Sequence, residues 1–319
     1  MPTDQQFEGK DAEIPRTSPR NLESKAISLA HSPDSDDAFM FYALATNKVR
    51  APGMKITHVL SDIETLNQAA QQEKYDVTAV SFSAYPLLAE KYALLDCGSS
   101  VGDGYGPIVV ASRGLKADDL AGRRIGVPGL LTTSYLALKL FEPRCEPVPI
   151  PFDKIMEAVS QGTVEAGLLI HEGQLLFSQT GLHKVMDLGV WWKEQTHLPL
   201  PLGGNAVRRG LGREAAEKIA RALRESVGYA LEHRDAALNY AMQFARDMEY
   251  EVADKFVGMY VNQWTLSLGE VGRRAVRELL ARGHAAGLIP AALEIEFIGI
   301  PEPEEKSSPR RTALDSPDR

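Results

Sequence analysis

Residues 26–60, AISLAHSPDSDDAFMFYALATNKVRAPGMKITHVL, decide the fold class. Ala26–His31 is a short apolar run of strand length. Asp36–Lys48 is a helix opened by acidic residues, which favour the positive end of the helix dipole. Met54–Leu60 returns to strand character, Glu64–Gln72 is again helical, and Asp76–Ser81 supplies a third strand. Strand, helix and strand at this spacing predict a parallel sheet with helices on its faces.

Pro107–Ser112 (PIVVAS) is a further strand, and a second alternating block follows it. Its strands lie near Arg124–Val127, Val148–Ile150, Ala166–His171 and Val185–Leu188, with helices near Thr133–Phe141 and Lys154–Gln161. After Gly203–Gly204 the chain reads almost wholly helical, over Arg213–Glu232, Arg234–Asp247, Val252–Tyr260 and Glu270–Gly287. This is an α/β pattern of two lobes. Residues 25–110 with 204–300 form a first, larger lobe, and residues 111–203 a second, smaller one. The chain crosses near Val110–Gly114 and returns near Leu202–Ala206, leaving a ligand cleft lined by the turns after the strands. Residues 1–24 and 301–319, rich in proline, serine and charge, read as disordered tails.

At 319 residues the chain has the length of about two domains. Hydrophobic residues make up 44% and charged ones 24%, which excludes fibrous and mainly disordered classes. The net charge of −8 advertises no basic face, so neither nucleic acid nor anionic membrane is an expected partner. Cys97 and Cys145 form no CxxC, which excludes a disulfide scaffold and a cysteine zinc site and fits a reducing cytoplasm. The first 25 residues hold no apolar signal-like run, and no stretch reaches the ~18 apolar residues of a membrane span. Gly102–Gly106 (GDGYG) is too short for a dinucleotide fingerprint, and no Walker loop, GxSxG elbow or HExxH occurs. The seven histidines lie scattered, so no metal site is expected.

Candidate chemistry sits at the strand-to-helix turns. His31–Asp37 presents Ser32, Asp34 and Asp36 either to the cleft or as a proline turn in which Ser35 or Asp36 caps the helix. Ser81 ends a strand, with Ser83 read as a helix cap. Pro128–Ser134 (PGLLTTS) carries three successive hydroxyls and precedes a helix, so it is either a carboxylate cradle or a capped helix start. In Gly167–Gly173 (GLLIHEG) a buried strand ends at His171, a candidate general base; a structural histidine is the other reading. Glu172 supports His171 only if the chain turns at Gly173. Asn205 is a further cleft-lining candidate. Trp191 and Trp192 either wall a ligand or pack the lobe, and His197 reads as structural.

Taken in order, HSPDSDDAFMFYAL, DIETLN, VSFSAY, PGLLTTSYL, GLLIHEG, DLGVWW and LPLPLGGNAVRR resemble the 1,4-dihydroxy-6-naphthoate synthase family of the futalosine route to menaquinone, over about residues 26–290. The resemblance implies a two-lobed fold like type 2 periplasmic binding proteins. It also implies a lyase that cleaves cyclic dehypoxanthinyl futalosine, a small carboxylate, to 1,4-dihydroxy-6-naphthoate without cofactor or metal. The family's proton-accepting histidine falls on His171. Its ligand contacts fall on Ala79, Val80 and Ser81 and on Thr132 and Thr133. Two departures stand out. Some members carry SPCPNDTF where this chain has SPDSDDAF, and some carry a lysine where Ala79 stands. Chorismate dehydratase, which shares the fold, and a non-catalytic solute-binding protein for a small carboxylate are the alternatives; IHEG and LPLPLGGN favour the synthase.

Overall fold

The computed structural model describes residues 25–244, 249–291 and 294–299. The expected tails, and the end of the helix expected over Arg234–Asp247, lie outside them. The first unit forms as its pattern predicts. Strand β1 (Lys25–His31) leads into helix α1 (Ser35–Ala45), and β2 (Met54–Leu60) returns parallel to β1 along its whole length. Helix α2 (Ile63–Gln71) then carries the chain to β3 (Val77–Ser81), parallel to β1 on its other side. Every residue from Ala38 to Leu44 of α1 is buried. A helix apolar on all sides needs cover on all sides, and α1 receives it from three helices described below.

Two short strands, β4 (Tyr92–Leu95) and β5 (Ser100–Gly102), close this part. The second sheet contains β6 (Ile108–Ala111), β7 (Arg124–Val127), β8 (Glu146–Pro149), β9 (Ala166–Leu169) and β10 (His183–Asp187), in the order β10-β6-β9-β7-β8. Helices α3 (Thr133–Phe141) and α4 (Ile155–Ser160) connect its parallel strands, the four-residue α5 (Gly173–Leu176) follows β9, and α6 (Leu188–Thr196) follows β10. The chain then re-enters the first sheet as β11 (Leu200–Arg208) and runs helical through α7 (Arg213–Glu232), α8 (Arg234–Ala241), α9 (Tyr250–Tyr260), α10 (Gln263–Leu266) and α11 (Gly269–Ala285). Helices α7, α8 and α9 pack on α1. A last short strand, β12 (Phe297–Ile298), completes the order β12-β4-β11-β3-β1-β2, with β5 on β11.

Three differences from the sequence expectation have physical causes. The helical return does not begin at Gly203–Gly204: β11 continues to Arg208 and lies antiparallel between β3 and β4. Its LPLGGNAVR sequence lacks strand alternation because both glycines answer local crowding. A Cβ on Gly204 would lie 3.0 Å from the Phe82 ring, and one on Gly203 would lie 3.2 Å from the Val80 carbonyl oxygen. Second, sheet membership changes over residues 103–107 and 188–199, a few residues before the crossings expected from pattern. Third, β9 ends at Leu169, so His171 lies in the turn after the strand.

The two connections between the sheets touch backbone to backbone. A Cβ on Gly189 would fall 1.9 Å from the Tyr105 carbonyl oxygen, and one on Gly106 would fall 3.0 Å from Gly189 Cα. Asp187 Oδ1 accepts from the Gly189 and Val190 N–H groups, and Lys193 pairs with Asp103 at 2.7 Å. Trp192 is wholly buried here, donating Nε1–H to the Pro199 carbonyl, while Trp191 meets Phe141 edge-on. The tryptophans pack; neither walls the cavity. His197 is exposed and ends α6 in the left-handed region. Because the obstacle at Gly189 is backbone, Gly189→Ala is expected to lower unfolding free energy by about 1–3 kcal/mol in denaturant titration, the usual cost of overpacking.

Candidate active site

Between the two sheets lies an open cavity whose non-atom space, solvent at its mouth included, is about 760 Å³. Its wall is built by the turns after β1, β3, β7 and β9, with β11 across the back. Ser32, Asp34, Asp36 and Asp37 supply one side. Ser32 ties this loop together: its N–H donates to Asp37 Oδ2 at 2.7 Å, and its hydroxyl donates to Asp34 Oδ2 at 2.9 Å. Neither Ser35 nor Asp36 caps α1, contrary to that reading of the turn. The N-cap is Asp34, with no side-chain cap bond, and the Ser35 hydroxyl is buried without a partner. The acid run is spent on loop closure and on the cavity wall instead.

Desolvation dominates the titration of Asp36 and Asp37. Burial pushes Asp37 up to about 7, helped by the Asp34 charge and opposed by the bond from Ser32 N–H. Burial raises Asp36 well above the usual carboxylate range, and the charges on Asp37 and Asp34 raise it further. Behind them His31 stacks on Phe41 at 4.3 Å, and its Nε2 lies 3.2 Å from His58 Nδ1. Burial holds His31 down to about 3, with the neighbouring His58 acting in the same direction, so the ring beneath the acid loop is neutral.

Ala79, Val80 and Ser81 border the cavity at the end of β3. Ser81 donates its N–H to Asn67 Oδ1 at 2.8 Å and accepts from Asn67 Nδ2 at 3.0 Å. The amide occupies a lone pair of the Ser81 oxygen, leaving the hydroxyl proton for the cavity. Thr132, Thr133 and Ser134 form the opposite wall at the start of α3. Thr132 is the N-cap: its oxygen accepts from Tyr135 N–H at 3.3 Å while its hydroxyl donates to the Gly129 carbonyl at 2.9 Å. The capped-helix reading therefore holds, and a cap does not by itself exclude an anion, since first-turn N–H groups of a helix make no intrahelical bond.

Ser83 does not cap its own turn. Its hydroxyl donates to the Leu131 carbonyl at 2.6 Å, and its N–H donates to Thr133 Oγ1 at 3.1 Å. From α2, Glu64 Oε2 accepts the Leu131 N–H at 3.1 Å. Both polar groups of Leu131 are thus held by residues that flank the first sheet. Gly129 makes room for this: a Cβ there would lie 2.2 Å from Glu64 Oε2. Burial raises Glu64, more than the Leu131 N–H bond lowers it.

His171 and Glu172 are buried but do not border the cavity; their neighbour Ile170 does. His171 Nδ1 accepts from the Gly173 N–H at 3.1 Å, and Nε2 lies 3.1 Å from the Phe152 carbonyl oxygen. Those partners require the proton on Nε2 in the neutral ring. The chain does turn at Gly173, bringing Glu172 Oε2 to 3.8 Å from His171 Nδ1. Asn205 borders the cavity from β11, as does Tyr260 of α9, whose hydroxyl donates to Gln174 Oε1 at 2.8 Å. Among the described residues no group of three or more His, Cys, Asp or Glu is placed to hold a metal ion, and no helix is long and apolar enough to cross a membrane.

A family profile described as menaquinone biosynthesis matches residues 27–285. The chain belongs to this family. A 1,4-dihydroxy-6-naphthoate synthase of Thermus thermophilus is 42% identical over 264 residues, covering 83% of this chain and 96% of that protein. One from Streptomyces coelicolor is 40% identical over 278 residues, covering 85% and 97%. The crystal structure of an Archaeoglobus fulgidus protein superposes with a TM-score of 0.80 at 48% identity, covering 85% of this chain and all of that one. A Candida albicans protein described as having the generic periplasmic binding protein fold gives a TM-score of 0.65 at 15% identity, over 85% and 92% of the two chains. The fold is that of periplasmic binding proteins, as the motif order implied.

Glu64, Asn67 and Tyr260 escaped the sequence reading. Each lies inside a helix whose periodicity explains it equally well as an ordinary helical residue, and only tertiary packing gives it a role: Asn67 against β3, Glu64 and Tyr260 across to the second lobe. Glu64→Ala is expected to lower stability by about 0.5–1.5 kcal/mol in urea titration, as for one lost hydrogen bond. Glu64→Gln, which keeps an acceptor, is expected to stay near wild type. Asp37 moves from 3.8 up to about 7, so the folded protein keeps a proton that the unfolded chain has released. Its contribution to stability is full below the lower value and is lost as pH rises through the upper one. Between pH 5 and 8 the melting temperature of the wild type is expected to fall about 3 °C more than that of Asp37→Asn.

Proposed function

We propose that the protein is a carbon–carbon lyase converting cyclic dehypoxanthinyl futalosine to 1,4-dihydroxy-6-naphthoate. The observation that carries this reading is the near-complete match to two proteins of that name, at 40–42% identity. The cavity chemistry supports it. The N–H groups at the start of α3 and the Ser81 hydroxyl receive the substrate carboxylate, without any arginine at the cavity wall. The acids opposite, whose pKa values burial raises, carry less charge near neutrality than ordinary carboxylates and so repel an anionic substrate less.

We assign the proton acceptor to His171. Its Nδ1 lone pair is occupied by Gly173 N–H, so the turn over residues 170–174 swings before the imidazole reaches the substrate. The two sheets move as lobes about the connections at residues 103–107 and 188–199, and closure orients the sugar-derived ring and excludes water. Proton removal from that ring opens it, the carbon–carbon bond to the sugar-derived fragment breaks and that fragment leaves, and formation of the aromatic naphthalene supplies the thermodynamic pull. Both cysteines are buried and unpaired, in keeping with assignment of the reaction to the cytoplasm.

Purified protein incubated with cyclic dehypoxanthinyl futalosine, with nothing added, is expected to release dihydroxynaphthoate, followed by absorbance and mass. His171→Ala is expected to lose about 10²-fold or more in kcat while substrate binding stays within about threefold, far under the ~1.4 kcal/mol of a tenfold change. Near-normal turnover by that variant removes His171 from the mechanism. Binding without turnover by the wild type, or turnover of chorismate instead, overturns the lyase assignment.

A further inference from the structure

Asn205 sits in the middle of β11, paired with Ala79 of β3, and is only 1% exposed. Its Nδ2 donates to the Gly98 carbonyl at 2.8 Å. That bond decides which end of the amide is oxygen, because the reverse orientation would set two carbonyl oxygens against each other. The remaining oxygen, Oδ1, is buried and has no hydrogen-bond partner among the described residues. Native proteins rarely leave such an acceptor unpaired, and an orphan of this kind points to a bound water or ligand. Asn205 borders the cavity, while Oδ1 itself has almost no accessible surface, so a donor from the cavity reaches it only after a small shift of the side chains around it.

Position along the strands says which part of a ligand this is. Strand side chains alternate, so Asn205 and Gly203 share a face with their partners Ala79 and Ser81. Asn205 therefore lies two residues, about 7 Å, farther along the strand pair than the Ser81 end, where Ser83 joins the start of α3. At this deeper end the Asn205 amide lies 3.9 Å from Met40 Sδ, and Asp36 and Asp37 occupy the same face of α1 one turn earlier. The acceptor left unpaired here is Asn205 Oδ1 itself.

We propose that Asn205 Oδ1 accepts a hydrogen bond from a hydroxyl of the sugar-derived ring, making Asn205 a specificity-determining residue that orients the substrate with its carboxylate at α3 and its ring hydroxyls at β11 and α1. This inference rests on the substrate class proposed above. It adds the direction in which that substrate lies.

The test measures binding by calorimetry with three probes: cyclic dehypoxanthinyl futalosine, its analogues each lacking one ring hydroxyl, and 2-naphthoate, which keeps an aromatic carboxylate without hydroxyls. Asn205→Leu is expected to weaken the first about 10- to 100-fold, a normal loss for one buried polar contact, and to leave 2-naphthoate within about threefold of wild type. One deoxy analogue is expected to bind wild type as weakly as the variant binds the parent compound, and to lose nothing further in the variant. Equal losses for the parent and 2-naphthoate, or none for either, overturn the proposal. The wild-type measurements stand without the variant: if every deoxy analogue binds as tightly as the parent, Asn205 has no hydroxyl partner. Turnover by wild type with these negative results overturns the orientation alone, whereas no binding of the parent by wild type overturns the substrate class as well.

Discussion

Beside the cavity, the elements of the first sheet grip the second lobe at Leu131. Its N–H is taken by Glu64 and its carbonyl by Ser83, while Thr133 next along accepts from the Ser83 backbone. All three partners reach across from elements flanking the first sheet to the loop that starts α3. A loop with a free peptide at that position would leave two buried polar groups unpaired or let water between the sheets. The side chains that need a dry, narrow space all depend on this grip: the acid loop after β1, the hydroxyls of the α3 turn and the buried Asn205.

Burial also accounts for the electrostatics. A chain of net charge −8 for which an anionic substrate is proposed has to keep like charge from collecting at the site. Burial raises Asp36 and Asp37 at the cavity wall, and His31 beneath them is held neutral by the same cause. What faces an anion is then a set of backbone N–H groups and hydroxyls, fixed dipoles that need no counter-charge of their own. The scheme costs stability as pH rises. In the proposed orientation of the substrate, the α3 end donates to its carboxylate and Asn205 Oδ1 accepts from a ring hydroxyl.

His171 illustrates the limit of a motif. The residue type, its place after a buried strand and the Gly173 turn were all legible, and the chain does turn there. Its side chain nevertheless points into hydrogen bonds with Gly173 and the Phe152 carbonyl, off the cavity wall. Ser83 is the converse case. A serine near a strand end reads as a cap, yet here it spans between the sheets, because the cap position is already filled by Ser81.

The α/β alternation, the parallel β1–α1–β2–α2–β3 unit, the bounds of α3 and α7 and the turns that bear the site were determined by the sequence itself. These are local properties: apolar period, strand length and the residue types that start helices. Even α1's burial on all sides follows from AFMFYAL, which offers no polar face. Tertiary structure alone decided the rest. Strand β11 was not legible as a strand, because Pro201, Gly203 and Gly204 break its alternation, and it takes its place in the sheet only where β3 and β4 flank it. Asn67 holds Ser81, Glu64 holds the loop before α3, Tyr260 borders the cavity, the tryptophans do not, and Asn205 Oδ1 is left without a donor, for one reason. Hydrogen-bond partners distant in the chain are set by how strands, helices and sheets pack, and no local periodicity encodes that packing.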